Sequence, residues 1–396
     1  MDKAKTYVAF VAAGSGGHVQ SNIAVIENFQ KRFPERKDDV LFVGSSLLMQ
    51  GEKNKKSLEE TLAERMGIRF LKVRTAKLQR TFTLSTLIAQ WKLLLGFYDA
   101  VRIFLKYPIK KVVCFGGYSS LPMGVVGFLF GKEILIHEQT SSIGLTNRIL
   151  RFVAARSLIS YQESVPFFKR ARQIVHVGSP SREYLFSVQN LSDLKRYGTV
   201  FEEDYLKKLA ALQKSSQKFI FIMGGSQGSH VVNETLTALL SELVPKYDIF
   251  LQTGDNQVTK DFEKVSEYVS TLPVQLQEHI IIRKFIYEEM GFLYKQADLV
   301  IGRSGANSVY EAGMMHVPSI FIPIPWVTKN EQYTNAKILA DLGLGEIIEE
   351  KDLTTDVLRV MIEKMLSIER SVDFAKIDEK FPRDSAERIV DLIVSA

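Results

Sequence analysis

The chain has 396 residues, of which 46% are hydrophobic and 24% charged, and its formal net charge is +6. The length suggests two domains of ordinary size, and the composition is that of a globular protein with a substantial core. The mild positive charge suits an anionic partner such as a nucleotide or an acidic membrane surface, and no recognition motif supports nucleic acid. The single cysteine, Cys114, excludes an internal disulfide and is expected to pack in the core.

Short runs of Val, Ile, Leu and Phe alternate with longer amphipathic segments along the whole chain. Apolar runs without polar alternation are typical of strands covered on both faces, which indicates parallel sheets. In chain order, the predicted strands are Tyr7–Ala13, Val40–Val43, Val112–Phe115, Ile134–Ile136, Phe219–Met223, Ile249–Gln252, Ile280–Arg283, Leu299–Ile301 and Ser319–Ile322. The helical segments between them predict an α/β fold of two doubly wound, Rossmann-like domains.

A Gly-Ser-Pro break at residues 178–180 marks the predicted domain boundary. We therefore expect an N-terminal domain of residues 1–180 and a C-terminal domain of residues 181–379. An amphipathic helix at residues 380–396 could pack back on the first domain. The stretch from 186 to 218 is polar, charged and helical in character.

Two segments bear on contact with a membrane. Val112–Gly131 is uncharged and about as long as a span. Its Gly-Gly, Tyr-Ser-Ser and Leu-Pro groups would break a helix, so a buried strand, a loop and a buried helix are expected instead. Arg74–Tyr107 mixes basic with apolar and aromatic residues, and Lys92, Asp99 and Arg102 exclude a span. It is either an amphipathic helix at an anionic membrane surface or a helix that packs in the core.

Glycine-rich loops follow several of the predicted strands, at Gly14–Gly17, Gly116–Gly117 and Gly224–Gly228. At a fourth strand end, Ser304 could cap a helix that begins near Ala306. A strand that ends in glycines and leads into a helix presents backbone N–H groups and the positive end of a helix dipole. Because ligands of open parallel sheets bind at the carboxyl ends of strands, these loops predict a ligand that contains phosphate.

The loops do not match the motifs of nicotinamide or P-loop enzymes. In a G-x-G-x-x-G motif that begins at Gly14, the final glycine is replaced by Val19, and the next strand ends at Gly44 rather than at an acidic residue. No Gly-Lys-Ser/Thr sequence occurs. Glu311 lies about two helical turns beyond Ser304, a spacing that fits a phosphate at the helix start and a ribose diol further along. The alternative for Glu311 is a solvated helix carboxylate.

Several stretches together resemble the MurG family within glycosyltransferase family 28. In chain order they read GSGGHV, FGGYSSLP, HEQTSSIGLTNRIL, VGSPSR, GGSQGSHVVN, ADLVIGRSGANSVYEA and NEQYTNA. The resemblance implies a GT-B fold, in which two Rossmann-like domains face a cleft. It implies inverting transfer of N-acetylglucosamine from UDP-GlcNAc to lipid I, the undecaprenyl-pyrophosphoryl-MurNAc-pentapeptide, which gives lipid II for peptidoglycan. It also implies a peripheral position on the cytoplasmic face of the bacterial inner membrane, and cell-wall synthesis proteins as partners.

The resemblance also assigns individual binding residues. The donor-binding residues that it implies or that the helix starts suggest are Arg182, Ser226, Gln227, Gly228, Ile286, Ser304, Gly305, Glu311, Glu331, Gln332 and Asn335. Of these, the loop at Ser226 would hold the diphosphate, the backbone of Ile286 the uracil, and Glu311 the ribose. Glu331 and Gln332 would reach the sugar, with Asn335 in the same motif, and Arg182 would approach the donor from the hinge. On the acceptor side the residues are Ser15, Gly16, Gly17 and Asn147.

The chain departs from the family pattern at a few positions. Ala13 precedes Gly14 where the family has a second glycine, and Gln20-Ser21 replaces Phe-Pro. Glu331 stands where the family has glutamine, which changes the charge and the donor capacity of the side chain at the sugar. The charged stretch from 186 to 218 is longer than expected for the family.

His18 and Glu138 are the candidate catalytic residues. In an inverting transfer, negative charge grows on the leaving diphosphate, where backbone amides and a helix dipole can stabilise it. His18 has a side chain suited to a general base near neutral pH, although it could instead shape the loop or bind the acceptor's phosphate. Glu138 is the rival base or a partner of His18, and His137 is expected to be structural. Neither a D-x-D motif nor a histidine pair of metal-ligand spacing occurs, so no metal and no cofactor is predicted.

Other functions are compatible with the same pattern. They are a UDP-sugar transferase that acts on another lipid such as diacylglycerol, a UDP-GlcNAc 2-epimerase, and a non-catalytic UDP-sugar-binding subunit. The HEQTSSIGLTN stretch favours the lipid I acceptor, and the presence of both domains and of His18 in one chain argues against the subunit.

Overall fold

A computed structural model describes residues 6–14, 16–45, 57–75, 84–197, 201–225, 227–327, 330–367 and 371–395, with the backbone alone at residues 58 and 84–92. The chain divides into two compact units. Unit 1 comprises Met1–Arg182 and Pro382–Ala396, and unit 2 comprises Glu183–Phe381.

Unit 1 is built on a parallel sheet of seven strands in the order β3-β2-β1-β4-β5-β6-β7. The strands are β1 (Tyr7–Val11), β2 (Val40–Ser45), β3 (Arg69–Val73), β4 (Ile109–Cys114), β5 (Glu133–Glu138), β6 (Arg156–Ile159) and β7 (Ile174–His176). The helices are α1 (Gly16–Arg32), α2 (Leu58–Arg65), α3 (Leu84–Lys106), α4 (Ser120–Leu129) and α5 (Leu145–Leu150). The short connections Pro34–Asp39 and Gln162–Phe168 are 3₁₀ helices.

Helices cover both faces of this sheet, which explains why its central strands lack polar alternation. Successive residues of β1 enter different hydrophobic layers: Ala9 and Val11 pack with α3 and α4, whereas Val8 and Phe10 pack with α1. A strand that is buried on both faces must be apolar at every position. The sequence pattern of β1 is therefore a direct consequence of the two-sided cover.

Unit 2 repeats the design with six parallel strands in the order β10-β9-β8-β11-β12-β13. The strands are β8 (Lys218–Met223), β9 (Tyr247–Gln252), β10 (Ile280–Arg283), β11 (Leu299–Gly302), β12 (Ser319–Phe321) and β13 (Gly345–Ile347). The helices are α6 (Tyr184–Ser187), α7 (Glu203–Lys214), α8 (His230–Leu243), α9 (Asp261–Ser270), α10 (Val274–Gln277), α11 (Met290–Gln296), α12 (Ala306–Met314), α13 (Glu331–Asp341), α14 (Thr355–Ser367) and α15 (Phe374–Lys380). Leu191–Tyr197 and Glu350–Asp352 are 3₁₀ helices.

The last helix, α16 (Ser385–Val394), belongs to unit 1 although it follows unit 2 in the chain. Its apolar face, with Ile389 and Ile393, joins the hydrophobic layer that contains α1. The Asp391 carboxylate lies 2.7 Å from the Arg32 guanidinium of α1. The burial of the apolar face is the main stabilising contribution, because an exposed ion pair adds little.

All nine predicted strands are present within the described chain, and the doubly wound α/β fold class is confirmed. The strands that the pattern missed are β3, β6, β7 and β13. Of these, β3, β7 and β13 lie at sheet edges, where fewer neighbours cover the strand and the apolar run is shorter. Val112–Gly131 forms the end of β4, a loop and α4, as predicted. None of the helices in the described segments is both long and apolar enough to span a bilayer.

Candidate functional site

The strand order of each sheet places two pairs of loops at equivalent points. In unit 1 the order turns between β1 and β4, and in unit 2 it turns between β8 and β11. The chain leaves these strands toward opposite faces of the sheet, which opens a crevice at their carboxyl ends, where open α/β sheets bind ligands. The loops singled out in the sequence follow these four strands. The two units therefore each carry one candidate site at the switch point of the sheet.

The two loops of unit 1 touch each other through glycine. Gly117 has a φ of +79°, and a Cβ atom at this residue would lie 1.8 Å from the carbonyl oxygen of Ala13. A Cβ atom at Gly116 would lie 2.9 Å from Cε1 of His18. Glycine is required at both positions because any side chain would separate the β4 loop from the β1 loop and displace the His18 ring.

We expect Gly117→Ala to lower the free energy of unfolding by about 2 kcal/mol, because it combines a left-handed backbone with a backbone clash. Gly131→Ala is the matched control: Gly131 has a φ of +69° but nothing within 4 Å of an added Cβ. The control has only the cost of a left-handed backbone and should lower the free energy of unfolding by about 1 kcal/mol. Urea unfolding measures both variants. Equal losses would show that the close contact of the two loops is unimportant.

His18 is held in one tautomer by the residue that follows Glu138. Nδ1 of His18 lies 3.0 Å from Oε1 of Gln139, and Nε2 of Gln139 donates to the carbonyl oxygen of Gly17 at 3.1 Å. Since the Gln139 amide donates to Gly17, its oxygen accepts the proton of Nδ1, which places the basic lone pair of His18 on Nε2. Burial lowers the pKa of His18, against the opposing effects of the Glu138 charge and the Gln139 hydrogen bond. The imidazole is therefore neutral at pH 7, the state that a general base requires.

Glu138 organises the loop that follows β5. Its Oε1 accepts from the N–H and the hydroxyl of Thr140, at 3.2 and 2.8 Å. Its Oε2 accepts from the N–H of Gly144 at 2.9 Å and from Nδ2 of Asn147 at 3.0 Å. The carboxylate is 2% exposed. With four donors already bound, it is better suited to shaping the loop and acting on His18 through its charge than to taking a proton from a substrate.

Three other predicted residues of unit 1 have partners within the protein. Asn147 is buried, and its Nδ2 also donates to the carbonyl oxygen of His137 at 2.9 Å. His137 lies in the core beside the carbonyl oxygen of Gly178, at 2.9 Å from Nε2, and burial lowers its pKa to about 4, as expected for a structural histidine. The Arg182 guanidinium pairs with both carboxylate oxygens of Glu27 on α1, at 2.7 and 3.3 Å. Gly16 and Gly17 form the start of α1, and Ser15 lies outside the described residues.

In unit 2, the loop after β8 is linked to the loop after β10 and to the β9 end. Nε2 of Gln252 donates to the carbonyl oxygens of Gly225 and Lys284, at 3.1 and 3.4 Å. Gly228 has a φ of +74°, and a Cβ atom there would lie 2.0 Å from the carbonyl oxygen of Thr253. Gln227 is exposed at the tip of this loop, and Ser226 lies outside the described residues.

The start of α12 differs from the prediction in one respect. The N-cap residue is Gly305 and no side chain caps the helix, so the prediction that Ser304 is the cap is wrong. Gly305 has an extended backbone that leads directly into the helix, which places Ser304 one residue too early. Ser304 is fully buried, and its hydroxyl has no hydrogen-bond partner among the described residues. The helix start is thus left without a side-chain acceptor, which suits an external anion.

Glu311 occupies a partly buried position on α12. The hydroxyl of Tyr294, on α11, donates to Oε2 of Glu311 at 3.4 Å. Burial raises the pKa of Glu311 to about 7, and the hydrogen bond from Tyr294 opposes the shift. This is not the environment of a solvated helix carboxylate. A buried carboxylate with a pKa near neutral pH, on a helix that begins at the end of a strand, is typical of a functional group.

The remaining predicted residues lie on α13 and after β10. Glu331 begins α13, and Oε1 of Gln332 accepts from the N–H of Ile324 at 3.0 Å, which leaves the NH₂ group of Gln332 as its donating end. Asn335 is fully buried, and its Nδ2 lies 3.4 Å from the carbonyl oxygen of Ser304, so it joins α13 to the α12 start. Ile286 is half-buried in the loop after β10. Across the described segments, His, Cys, Asp and Glu side chains form no group of three placed to hold a metal.

Residues that the sequence did not single out support both sites. Gln139 fixes His18, Tyr294 contacts Glu311, and Gln252 joins two loops. Asp261 accepts from Nδ2 of Asn233 at 3.0 Å and lies 2.7 Å from Nδ1 of His230, so it holds the start of α8. Gln139 could have been noticed from its place in the HEQ motif, whereas the others carry no sequence signal, because their partners are distant in the chain.

Comparison with known proteins gives a consistent result for the whole chain. Residues 8–159 match the glycosyltransferase family 28 N-terminal domain, and residues 219–389 match the glycosyltransferase family 28 C-terminal domain. The chain is 32% identical over 391 residues, 98% of each chain, to the UDP-N-acetylglucosamine–N-acetylmuramyl-(pentapeptide) pyrophosphoryl-undecaprenol N-acetylglucosamine transferase of Thermoanaerobacter sp. strain X514. It is 28% identical to the protein of the same name from Listeria monocytogenes, over 98% of this chain and 99% of the relative.

Solved structures show the same fold. MurG of Acinetobacter baumannii aligns with a TM-score of 0.69 at 24% identity, over 98% of this chain and 99% of that one. A UDP-GlcNAc 2-epimerase of Methanocaldococcus jannaschii aligns with a TM-score of 0.62 at 12% identity, over 98% and 99%. These likenesses place the chain in the GT-B fold class, as predicted.

Proposed function

The chain belongs to glycosyltransferase family 28, and we infer that it transfers N-acetylglucosamine from UDP-GlcNAc to lipid I, giving lipid II and UDP. The observation that carries this inference is the 32% identity over 98% of the chain with a transferase of that activity. The strand-end site of each unit supports it, because a nucleotide diphosphate and a pyrophosphate-linked acceptor both need anion sites.

Unit 2 is the proposed donor site. The loop after β8 and the start of α12 supply backbone N–H groups for the diphosphate, and Glu311 supplies a carboxylate that can accept from both ribose hydroxyls. Gln332 supports a sugar contact through its NH₂ group, with Glu331 beside it. Asn335 acts indirectly in this proposal, because its amide is committed to the backbone of Ser304.

The proposed reaction follows from the tautomer of His18. A hydroxyl of the acceptor sugar attacks C1 of N-acetylglucosamine from the face opposite UDP. The new bond joins that oxygen to C1, the bond from C1 to the diphosphate oxygen breaks, and UDP leaves with the electron pair. Nε2 of His18 takes the hydroxyl proton, and the Glu138 charge stabilises the imidazolium that forms. Glu138 is therefore a positioning residue in this proposal, together with Asn147 and Gln139.

The direct test is incubation of the full chain with labelled UDP-GlcNAc and a lipid I analogue, scored for a disaccharide product with an inverted anomeric configuration. Parallel reactions contain diacylglycerol or no acceptor. Label in the disaccharide supports the proposal. Label attached to diacylglycerol would identify the chain as a diacylglycerol glycosyltransferase. Conversion of UDP-GlcNAc without an acceptor would indicate an epimerase. Binding of UDP-GlcNAc with no product in any reaction would indicate a non-catalytic subunit.

We further propose that unit 1 binds the anionic surface of the membrane that carries the acceptor, on its cytoplasmic face. One side of α3 packs in the core through Ile103 and Phe104, while Leu94, Tyr98 and Leu105 on the same helix are exposed. The neighbouring helices α4 and α5 expose further apolar side chains, which are Phe128, Leu129, Leu145 and Ile149. Basic residues accompany them, which are Arg102, Lys106, Arg148 and Arg151. Apolar residues with a basic surround suit an anionic interface.

We expect the double variant Leu105→Glu/Leu129→Glu to bind vesicles containing anionic phospholipid about tenfold more weakly, because two exposed leucines no longer enter the interface. Val360→Glu is the matched control, since Val360 is exposed on α14 of unit 2. Co-sedimentation with vesicles measures the partition of each protein. Equal partition of the double variant and the control would place the contact elsewhere.

A further inference from the structure

The charged segment that is longer than expected for the family includes the end of α6 and all of α7 in unit 2. Helix α6 packs on α11, and Tyr205 of α7 contacts Glu289, the N-cap residue of α11. The N-terminal end of α11 follows the loop that contains Ile286, and its body carries Tyr294, the hydrogen-bond partner of Glu311. One short helix thus connects the residues proposed to bind uracil with the residue proposed to bind ribose. The contacts that fix the position of α11 therefore affect binding of the nucleoside.

A buried tyrosine–carboxylate pair joins α7 to the start of α11. Tyr205 and Glu289 are 4% and 0% exposed. The Tyr205 hydroxyl donates to Oε1 of Glu289 at 2.9 Å, and the N–H of Tyr287 donates to Oε2 at 3.0 Å. The same carboxylate therefore binds α7 at one oxygen and the loop beside Ile286 at the other. Burial raises the pKa of Glu289.

Two further contacts reinforce this arrangement. The guanidinium carbon of Arg283, the last residue of β10, lies 4.3 Å from the centre of the Tyr205 ring. Arg283 therefore holds the tyrosine at the point where the loop containing Ile286 begins. In the first turn of α11, a Cβ atom at Gly291 would lie 2.4 Å from the carbonyl oxygen of Tyr184 and 2.6 Å from that of Leu185. The backbone of α6 thus rests directly on the backbone of α11.

We propose that α6 and α7 fix α11 in the orientation that binds the nucleoside of the donor, and that Tyr205 is a positioning residue for recognition of uridine. The inference rests on the proposed UDP site. Its physical basis is that a buried carboxylate oxygen without its donor is costly, so Glu289 would move or take up water if the hydroxyl were removed. Movement of Glu289 changes the loop at Tyr287 and the position of Tyr294 at the same time.

The test uses the full chain with Tyr205→Phe, which keeps the aromatic ring and removes only the hydroxyl. Titration calorimetry measures binding of UDP and of inorganic pyrophosphate, the latter a probe of the diphosphate loop alone. We expect affinity for UDP to fall about fivefold or more, in the range of a coupling between sites, while affinity for pyrophosphate is unchanged. Transfer assays should show a raised KM for UDP-GlcNAc with kcat retained. Tyr268→Phe, on α9 of the same unit, is the control and should behave as wild type.

The outcomes separate the inference from the function on which it rests. Selective loss of UDP affinity supports the positioning role. Unchanged UDP affinity in Tyr205→Phe, or equal loss of UDP and pyrophosphate affinity, overturns it. If Tyr205→Phe unfolds, Glu289→Met is measured instead, because it removes both acceptor oxygens at a similar side-chain length and must show the same selective loss. Absence of UDP binding by the wild-type chain contradicts the proposed function itself.

Discussion

His18→Ala is expected to reduce kcat by at least about 100-fold, the range of a lost general base, while affinity for UDP stays unchanged. Affinity for UDP should be unchanged because His18 lies in unit 1, at the start of α1, whereas the proposed nucleotide site lies in unit 2. The hydrogen bond to Gln139 leaves the basic lone pair of His18 on Nε2, the atom that takes the proton in the proposed reaction. Steady-state transfer kinetics and UDP titration measure the two quantities separately.

Two controls make the His18 prediction specific. Gln139→Ala removes the bond that selects the tautomer and should lower kcat less, by about tenfold, without changing UDP affinity. The pH profile gives a second check: because burial lowers the pKa of His18 below 6.5, kcat should fall with acid only below that pH. A His18→Ala variant with near-normal kcat would remove the base assignment. It would favour the other interpretation, in which His18 shapes the loop or binds the acceptor's phosphate.

Glu311→Gln is expected to weaken binding of UDP-GlcNAc at pH 8 by about 10- to 100-fold, the loss typical of a hydrogen bond to a charged group. The amide keeps the size of the side chain but provides only one acceptor for the ribose hydroxyls. The change should appear in the dissociation constant and in KM rather than in kcat. An unchanged KM would contradict the assignment of Glu311 to the ribose.

The raised pKa of Glu311 gives the same prediction a pH dependence. With a pKa of about 7, the carboxylate is ionised above pH 7 and protonated below it. Wild-type affinity for UDP-GlcNAc should therefore fall as the pH drops through 7, and Glu311→Gln should abolish this dependence. UDP-GlcNAc is the correct probe, because its diphosphate is a diester that does not titrate in this range.

Ionisation of Glu311 favours binding of the nucleotide but lowers the stability of the ligand-free fold. A carboxyl group whose pKa is higher in the folded state than in the unfolded state destabilises the fold once the pH exceeds the unfolded value. The free energy of unfolding of the ligand-free Glu311→Gln protein should therefore be higher than that of wild type at pH 8, by about 1–2 kcal/mol. Urea unfolding without nucleotide measures this difference.

The central strands of both sheets could be predicted from sequence because burial on two faces demands uninterrupted apolar runs. The glycine loops could be predicted as sites because β1, β4, β8 and β11 end where glycines begin. The order of the strands in each sheet could not be predicted from the local sequence pattern. That order shows that β1 and β4, and β8 and β11, are the pairs that flank the switch points. Edge strands such as β7 were missed because partial exposure relaxes the demand for apolar residues.

The candidate site was predictable where a residue type implies its chemistry, and less so where tertiary contacts decide its role. His18 and Glu311 stand out as a titratable group beside a glycine loop and a carboxylate on a helix that follows one. The commitment of Asn147 to Glu138, and of Arg182 to Glu27, depends on contacts between distant positions and could not be inferred from local pattern. The helix cap at Gly305 rather than Ser304 depends on a backbone angle, which propensity alone does not fix.

We propose above all that backbone amides at the strand ends of unit 2, together with Glu311, hold a uridine diphosphate group. Calorimetric titration of the full chain with UDP in the presence of a metal chelator tests it most directly. We expect one site per chain with micromolar affinity, and an affinity at least tenfold lower in Glu311→Gln at pH 8. No measurable heat of binding from wild type, or equal binding by the variant, would contradict it.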